Sequence, residues 1–348
     1  MTISAVDLFC GAGGLTCGLE QAGINVISGV DLDTECKWAY EENTKAKFIE
    51  GDIGNLTADD VNSFFTKGSV RLLAGCAPCQ PFSSYGRTRQ SADDRWSLLN
   101  DFTRLVESCT PELVTMENVP GLIEHSIFSE FVSSLKNKGY FVDFRVLKCE
   151  QYGLPQTRRR LILIASRLGE IKIPEPTHKK PNTVKNTIHQ LPKIELKKAH
   201  TSDRFHVSAG MSKLNIQRIK ASKQGGTWRD WPKELVADCH NSSTGKSYPS
   251  VYGRMSWDKP SPTITTQCFG FGNGRFGHPE QNRAISLREA ALLQSFPDTW
   301  QFIPKDKSIK MTSVGRMIGN AVPPLLGKII GDCFTQHIEN FQTNSKSF

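Results

Sequence analysis

Short apolar runs recur along the first half of the chain, and segments with helical spacing lie between them. The runs span residues 4–9, 25–31, 46–51, 70–75, 112–116, 141–147 and 160–166. The segments with helical spacing are 15–22, 98–107 and 128–136. Strands that alternate with helices are typical of an α/β fold with a doubly wound, mostly parallel sheet. We therefore expect ligands to bind beyond the carboxyl ends of the strands.

The alternating pattern stops near residue 170. Residues 171–182 contain three prolines among lysines, which is typical of a linker or a domain crossing. The chain is then polar, basic and glycine-rich to about residue 280. Helical spacing returns at residues 286–294, where Ser286 and Glu289 are expected to form a capping box. A final helix is predicted from Pro323.

Charge is distributed unevenly along the 348 residues. The net charge of +8 divides into −8 for residues 1–150, +13 for 151–260 and +3 for 261–348. A basic middle region beside an acidic first part favours a surface that binds a polyanion, although a solvated lysine-rich surface would give the same count.

The sequence shows neither a membrane-spanning apolar run nor a secretory signal pattern. We therefore expect a cytosolic protein. The ten cysteines are then expected to be free thiols, because disulfides are rare in a reducing cytosol.

A glycine-rich loop follows the first predicted strand and opens the first predicted helix. Residues 9–14 read Phe-Cys-Gly-Ala-Gly-Gly. Glycines allow the backbone to approach a ligand closely, and the helix amino terminus offers free N–H groups. Asp31 ends the second predicted strand, where an acidic side chain can bind ribose hydroxyls. The third glycine of a dinucleotide motif is missing because position 16 is Thr16, which disfavours a nicotinamide cofactor.

A thiol and a carboxylate follow two neighbouring predicted strands. Cys79 lies in a Pro-Cys-Gln segment after the run at 70–75, and Glu117 follows the run at 112–116. A deprotonated thiol is a nucleophile and a carboxyl group can transfer a proton, so the pair suits attack on an electrophilic ring that is protonated at the same time.

Cys76 and Cys79 also form a Cys-x-x-Cys motif, which alone would suggest a redox pair or half of a zinc site. The chain has no second Cys-x-x-Cys, and its eight histidines lack metal-ligand spacing. We therefore expect no metal.

Six motifs in a fixed order carry a family resemblance. In chain order they are Asp7–Gly14, Pro78-Cys79-Gln80, Glu117-Asn118-Val119, residues 151–160, Pro262-Thr263-Ile264-Thr265 and Gly319-Asn320-Ala321-Val322-Pro323. With these motifs the chain resembles the cytosine-C5 DNA methyltransferases, especially those of bacterial restriction–modification systems. The resemblance covers nearly the whole chain apart from about residues 170–250.

The resemblance implies a reaction and a division of roles. A methyl group would pass from S-adenosylmethionine to C5 of a cytosine that is flipped out of double-stranded DNA. Cys79 would bond to C6, Glu117 would bind N3 and Arg160 would hold O2. Arg158 would support the carboxylate and thiol region. A DNA (cytosine-5-)-methyltransferase of this kind would protect host DNA against a cognate restriction endonuclease without forming a stable complex with it, and we expect a monomer.

The resemblance also implies a domain plan. The carboxyl-terminal helices would return to a Rossmann-like catalytic and cofactor-binding domain, so that this domain comprises residues 1–175 and 283–348. Residues 176–282 would form a small target-recognition domain.

Two further sets of residues are predicted. The expected cofactor contacts are Phe9, Gly11, Ala12, Gly13, Gly14, Asp31, Leu32, Asp52, Ile53, Pro78, Leu98, Asn320 and Val322. The expected DNA contacts are Gln80, Ser83, Arg87, Arg89, Arg229, Arg254 and Thr265. Two alternatives stay open: a tRNA cytosine-5 methyltransferase of the same architecture, and a catalytically silent DNA-binding protein.

Overall fold

The computed structural model describes residues 1–77, 97–242, 245 and 251–345. Seven strands in these residues form one sheet. The strands are β1 (Ile3–Leu8), β2 (Asn25–Asp31), β3 (Lys47–Glu50), β4 (Val70–Gly75), β5 (Leu113–Asn118), β6 (Phe141–Lys148) and β7 (Arg159–Ser166). Each of them coincides with one of the apolar runs.

The described residues also form α-helices, of which the sequence pattern predicts α1, α4, α5, α8 and α10. The helices are α1 (Gly14–Gln21), α2 (Lys37–Asn43), α3 (Ala58–Phe64), α4 (Ser97–Cys109), α5 (Ser126–Asn137), α6 (Val184–Ile188), α7 (Lys213–Ala221), α8 (Leu287–Leu293), α9 (Met311–Asn320) and α10 (Pro324–Ser345). Within the ranges given above, no helix combines the length and the apolar character needed to cross a bilayer.

The sheet confirms the predicted α/β fold. Its strand order is β3-β2-β1-β4-β5-β7-β6. The pairs from β3 to β5 are parallel, whereas β7 runs antiparallel to both β5 and β6. The direction of winding reverses between β1 and β4, and such a switch point opens a crevice at the carboxyl ends of the two strands. The glycine-rich loop follows β1, and Cys76 follows β4.

The chain divides into two compact units. The first unit comprises Met1–Lys148, Arg159–Pro176 and Ala321–Phe348, and the second comprises Cys149–Arg158 and Thr177–Asn320. The domain boundaries given by the resemblance, at 175/176 and 282/283, stay a prediction.

Close contact between the first and last helices completes the first unit. A Cβ atom on Gly18 of α1 would lie 2.2 Å from the carbonyl oxygen of Pro324. A Cβ atom on Gly331 of α10 would lie 2.5 Å from the Cβ of Ala22. The hydroxyl of Thr335 donates to the carbonyl of Ala22 at 3.1 Å. Only residues without a side chain allow the two backbones to come this close.

The second unit has its own small core and a buried arginine. Ile219, Trp228, Trp231 and Phe271 pack together. The Arg254 guanidinium is buried and donates to carbonyl oxygens from several surrounding segments. These bonds compensate the burial of its charge and hold the segments together.

The predicted capping box at the start of α8 is confirmed. The Ser286 hydroxyl accepts from the backbone N–H of Glu289, and the Glu289 carboxylate accepts from the backbone N–H of Ser286. Arg283 binds the same carboxylate through two bonds of 2.7 Å. This buried ion pair holds the pKa of Glu289 near 2 despite the opposing effect of burial.

A buried carboxyl group lies on β1 beneath the glycine-rich loop. Asp7 is inaccessible to solvent, and its Oδ2 accepts from the Thr16 hydroxyl at 2.7 Å. The Thr16 hydroxyl also contacts the Tyr40 hydroxyl at 3.0 Å. Among the described residues, Oδ1 of Asp7 has no hydrogen-bond partner. Burial, assisted by the nearby Asp31 carboxylate, raises the pKa of Asp7 to about 7.

We expect this carboxyl group to make the stability of the protein depend on pH. The folded state binds a proton at Asp7 up to about pH 7, whereas the unfolded chain loses it near pH 4. The free energy of unfolding should therefore fall as pH rises through this window, by at most about 4 kcal/mol. Asp7→Asn should remove most of that slope in urea titrations between about pH 4 and 7.

Asp60→Asn provides the matched control. Asp60 caps α3 at the surface, and its hydrogen bonds with Thr57 lower its pKa, so it titrates below this window. Its replacement should shift stability without changing the slope. An unchanged slope in Asp7→Asn would show that Asp7 is not the titrating group.

Candidate active site and cofactor loop

The glycine-rich loop reverses direction through residues in the left-handed backbone region. Phe9, Gly11 and Gly13 have φ values of 61°, 50° and 90°. The backbone N–H of Gly11 donates to Oδ2 of Asp31 at 2.8 Å. Apart from Gly11 itself and its two chain neighbours, no described residue has an atom within 4 Å of the position that a Gly11 Cβ would occupy. The loop therefore has open space beside it and is tied to the end of β2, and its Ala12 is buried.

The end of β2 presents a carboxylate and an exposed apolar side chain. Oδ1 of Asp31 accepts from the backbone N–H of Asp33 at 2.8 Å. Burial raises the pKa of Asp31, although these backbone bonds oppose the shift. The neighbouring Leu32 is 68% exposed. An exposed leucine next to a bound carboxylate is a suitable surface for a ligand with both apolar and hydroxyl groups.

A single 3-10 turn follows β3 and carries two predicted cofactor residues. Oδ1 of Asp52 accepts from the backbone N–H of Gly54 at 2.9 Å, which starts the turn over Ile53–Asn55. Ile53 is buried, whereas Asp52 is exposed. Leu98 is half-buried on α4 of the same unit.

Backbone packing brings Val322 to the glycine-rich loop. A Cβ atom on Gly14 would lie 2.2 Å from the carbonyl oxygen of Val322, so this position requires a glycine. Val322 itself is buried. Asn320, predicted to share the cofactor site, is exposed and ends α9 in the second unit.

Glu117 at the end of β5 is bound by a cation and by a thiol. Its Oε1 lies 2.6 Å from Nε of Arg160 at the start of β7, and both side chains are largely buried. The Cys76 thiol donates to Oε2 of Glu117 at 2.8 Å. The Asn118 amide donates to the carbonyl of Ala77 at 3.1 Å. Two strand ends are therefore tied together around one carboxylate.

Cys76 is a protonated donor at neutral pH. Burial and then the negative charge of Glu117 raise the pKa of the Cys76 thiol well above its usual range, although Arg160 opposes the shift. A thiol of this kind is a poor nucleophile and a poor metal ligand, because both roles need the thiolate. Its environment therefore disfavours the redox and zinc interpretations of the Cys-x-x-Cys motif.

Arg158 belongs to the second unit, where it is buried. Its guanidinium donates to the carbonyl of Ile264 at 3.0 Å and to the carbonyl of Gly319 at 3.3 Å. These bonds connect three separate segments of that unit. The predicted role of Arg158 beside the carboxylate and thiol stays a prediction.

The remaining predicted residues are the DNA contacts together with Pro78 and Cys79. Some of them lie at the surface, one is buried, and the others lie outside the described residues. Arg229 is exposed and lies over the Trp228 ring, and Thr265 is also exposed. Arg254 is the buried arginine described above. Pro78, Cys79, Gln80, Ser83, Arg87 and Arg89 lie outside the described residues.

Contacts made only in the folded chain add residues that the sequence pattern did not assign to the site. Asp7 and Cys76 both lie within motifs quoted above. The partner of Asp7 is Thr16 on α1, and the partner of Cys76 is Glu117, which is 41 residues away. The sequence did offer a signal for both residues, because each is a polar residue within or directly after an apolar strand. A buried polar group needs a hydrogen-bond partner. In the part of the chain that the structure describes, no three His, Cys, Asp or Glu side chains are grouped so as to hold a metal ion.

Comparison with known proteins gives consistent matches over the full length. The profile of the C-5 cytosine-specific DNA methylase family matches residues 3–335. The type II methylase M.HgiDII of Herpetosiphon aurantiacus is 45% identical over 99% of both chains. The type II methyltransferase M1.HphI of Haemophilus parahaemolyticus is 32% identical over 95% of this chain and 86% of its own.

Solved structures share the fold. A prophage-encoded protein of E. coli, named as a DNA modification methyltransferase, superposes with a TM-score of 0.75 at 23% identity, covering 97% of this chain and all of its own. The Dnmt2 methyltransferase of S. pombe superposes with a TM-score of 0.63 at 18% identity, covering 98% and 99%. The family profile and the relatives of 45% and 32% identity show that the chain belongs to the C-5 cytosine-specific DNA methylase family.

Proposed function

We propose that this protein transfers a methyl group from S-adenosylmethionine to C5 of a cytosine within a specific short sequence of double-stranded DNA. The observation that carries the proposal is the contact between the two segments of the predicted catalytic pair. Cys76 and Ala77 bond to Glu117 and Asn118. The chain runs from Ala77 directly into Pro78-Cys79-Gln80.

The residues at the carboxyl ends of β1 to β3 fit S-adenosylmethionine. Asp31 offers carboxylate oxygens for ribose hydroxyls, and the open side of Gly11 allows the methionine end to approach the backbone. The exposed Leu32 would lie against the adenine, and the Asp52 carboxylate would accept from its amino group. When bound, the cofactor would supply an electrophilic methyl group and would be left as S-adenosylhomocysteine.

Cys79 would act as the nucleophile, because cytosine C5 does not take a methyl group unaided. Its thiolate adds to C6, an S–C6 bond forms, and the electron pair of the C5=C6 bond makes C5 nucleophilic. After C5 is methylated, a base removes the C5 proton. The C5=C6 bond then reforms and the S–C6 bond breaks, which releases Cys79.

Glu117 and Arg160 would stabilise the charge that develops on the ring. Glu117, protonated or sharing a proton with the base once cytosine is bound, would bind N3, and Arg160 would donate to O2. The 2.6 Å ion pair between them holds both groups in place before substrate binds. Preorganised donors in a site that excludes water stabilise a transition state more strongly than solvent does.

The target cytosine must leave the duplex to reach such a site, so base flipping is part of the proposal. Residues 176–282, which belong to the second unit from Thr177 onward, would read the DNA sequence, with Arg229 and Thr265 available at the surface. The positive charge of the middle of the chain would bind phosphates, which position a protein on DNA without specifying sequence. Arg254 would act by holding this unit together.

The names of the relatives support a role in restriction and modification. Two of them are type II methylases or methyltransferases, so we propose that this protein protects DNA against a cognate endonuclease in the bacterial cytosol. It would do so as a monomer.

Bisulfite sequencing tests the reaction, the substrate and the specificity together. We expect plasmid DNA from a methylation-free host that expresses this chain to carry protected cytosines within one short recurring sequence. If soluble protein protects no cytosine in DNA, the proposal fails. Modified cytosine in tRNA from the same cells would then identify the substrate.

Cys79→Ser should lower methyl transfer by about a thousandfold or more while DNA binding persists, because the covalent step is lost. The variant should also form no adduct with DNA that carries 5-fluorocytosine at the target. The control variant Cys239→Ser alters an exposed thiol of the second unit. It should retain both methyl transfer and adduct formation. Cys76→Ser should still form the adduct. If Cys76→Ser loses the adduct and Cys79→Ser keeps it, the nucleophile has been assigned to the wrong cysteine.

Replacing Lys220, Lys223 and Arg229 together with glutamine should weaken DNA binding and flatten its dependence on salt. For each phosphate that the protein no longer neutralises, the slope of log affinity against log salt concentration should fall by about 0.9. A matched variant replaces Lys47, Lys136 and Lys138, which are exposed in the first unit. Equal slopes in the two variants would mean that the basic second unit is only a solvated surface.

A further inference from the structure

One arginine outside the predicted site holds the turn that carries Asp52 and Ile53. Nη1 of Arg104 on α4 donates to the carbonyl of Leu56 at 2.8 Å. Its Nη2 donates to the carbonyl of Ile53 at 3.2 Å and to that of Gly54 at 3.1 Å. A single planar guanidinium therefore binds three of the carbonyl groups of one short turn.

The Ile53 side chain anchors the turn in the hydrophobic core and Leu56 packs against that core, but within the described residues the backbone of the turn has few other hydrogen bonds. It is one 3-10 turn between β3 and α3, and its internal bonds start from the side chain and carbonyl of Asp52. The bond from the backbone N–H of Leu56 to the carbonyl of Ile53 is 3.3 Å long. Asp101, one helical turn before Arg104, lies against Gly54 and ion-pairs with Arg104 at 3.5 Å. The helix α4 thus fixes the turn from outside.

We infer that Arg104 is a positioning residue for the adenine end of the cofactor. This inference rests on the proposed function, in which Asp52 binds the adenine, with the predicted cofactor residue Ile53 beside it. Arg104 holds their turn in one conformation before the cofactor arrives. Binding to a preorganised turn avoids the loss of conformational entropy that ordering it during binding would require.

The geometry also separates this role from a general contribution to stability. The Arg104 side chain is 43% exposed, so its removal leaves no cavity in the core. Its fork-shaped guanidinium matches three acceptors, whereas a lysine ammonium acts as a point charge. Arg104→Lys should therefore restore only part of what Arg104→Gln loses.

Arg71 supplies a matched control. It binds Glu112, Asn62 and the carbonyls of Cys109 and Thr110 with its own guanidinium. It lies at the start of β4, at the opposite end of the strand from Cys76. Arg71→Gln removes at least as many bonds and should lower stability without changing cofactor binding.

The experiment measures calorimetric affinity for adenosylhomocysteine and for methylthioadenosine, which share the adenosine half. We expect Arg104→Gln to weaken both ligands by the same factor of about tenfold. At saturating cofactor, the turnover of Arg104→Gln should stay within about twofold of that of the unaltered protein. The loss of affinity should appear instead as a higher KM for the cofactor. In the ligand-free protein, the amides of Gly54, Asn55 and Leu56 should exchange hydrogen faster in Arg104→Gln than in Arg71→Gln.

The outcomes distinguish this inference from the proposed function. If the unaltered protein binds neither ligand, the cofactor assignment and the inference fall together. If it binds both ligands and Arg104→Gln binds them equally well, the inference is wrong while the proposed function stands. Weaker binding of adenosylhomocysteine together with unchanged binding of methylthioadenosine would also overturn the inference. Arg104 would then affect the part of the cofactor that methylthioadenosine lacks, and not the adenine.

Discussion

The close approach of the α1 and α10 backbones is the constraint on which the first unit depends. Gly18 and Gly331 leave no room for a side chain between the two helices. Because α10 is held there, Val322 just before it lies against Gly14 at the start of α1. Val322 therefore holds one side of the glycine-rich loop, and Asp31 holds the other side. A loop that must follow a ligand closely is built on contacts from three distant parts of the sequence.

Two carboxyl groups at the same edge of the sheet have opposite electrostatic environments. Asp7 is buried with a hydroxyl donor and, among the described residues, no paired cation, so its neutral form is favoured at mildly acidic pH. Glu117 is buried beside Arg160 and a thiol donor. The first arrangement suits a group that supports a loop without attracting the positive charge of a ligand. The second fixes a carboxyl group at the end of β5 through a cation on one oxygen and a thiol donor on the other.

Sequence pattern predicted the parts of the fold that repeat and missed those that depend on a few local bonds. The strands could be predicted because parallel strands buried on both faces appear as apolar runs. Helices α2 and α3 were not predicted, although the capping box at Thr57 and Asp60 was an available signal for α3, as the box at Ser286 and Glu289 was for α8.

The candidate site shows the same limit. Spacing and resemblance identified Cys79, Glu117 and the glycine-rich loop as candidates. The contacts of Cys76 and Arg104 span 41 to 51 residues, so only the folded chain reveals them. The resemblance predicted Arg254 as a DNA contact, and only the folded chain shows that it is buried and bonded to backbone carbonyls.

The pairing of α1 with α10 also sets an order for folding during synthesis on the ribosome. The sheet strands emerge first, but the glycine face of α1 stays uncovered until the last helix has been made. The segment 177–320 of the second unit is complete before that helix appears and has its own core around Trp228 and Trp231. Domains generally fold as units as they emerge. The second unit can therefore complete its packing before α10 covers α1 in the first unit. The glycine-rich loop, which packs against Val322 just before α10, is then among the last parts of the molecule to be completed.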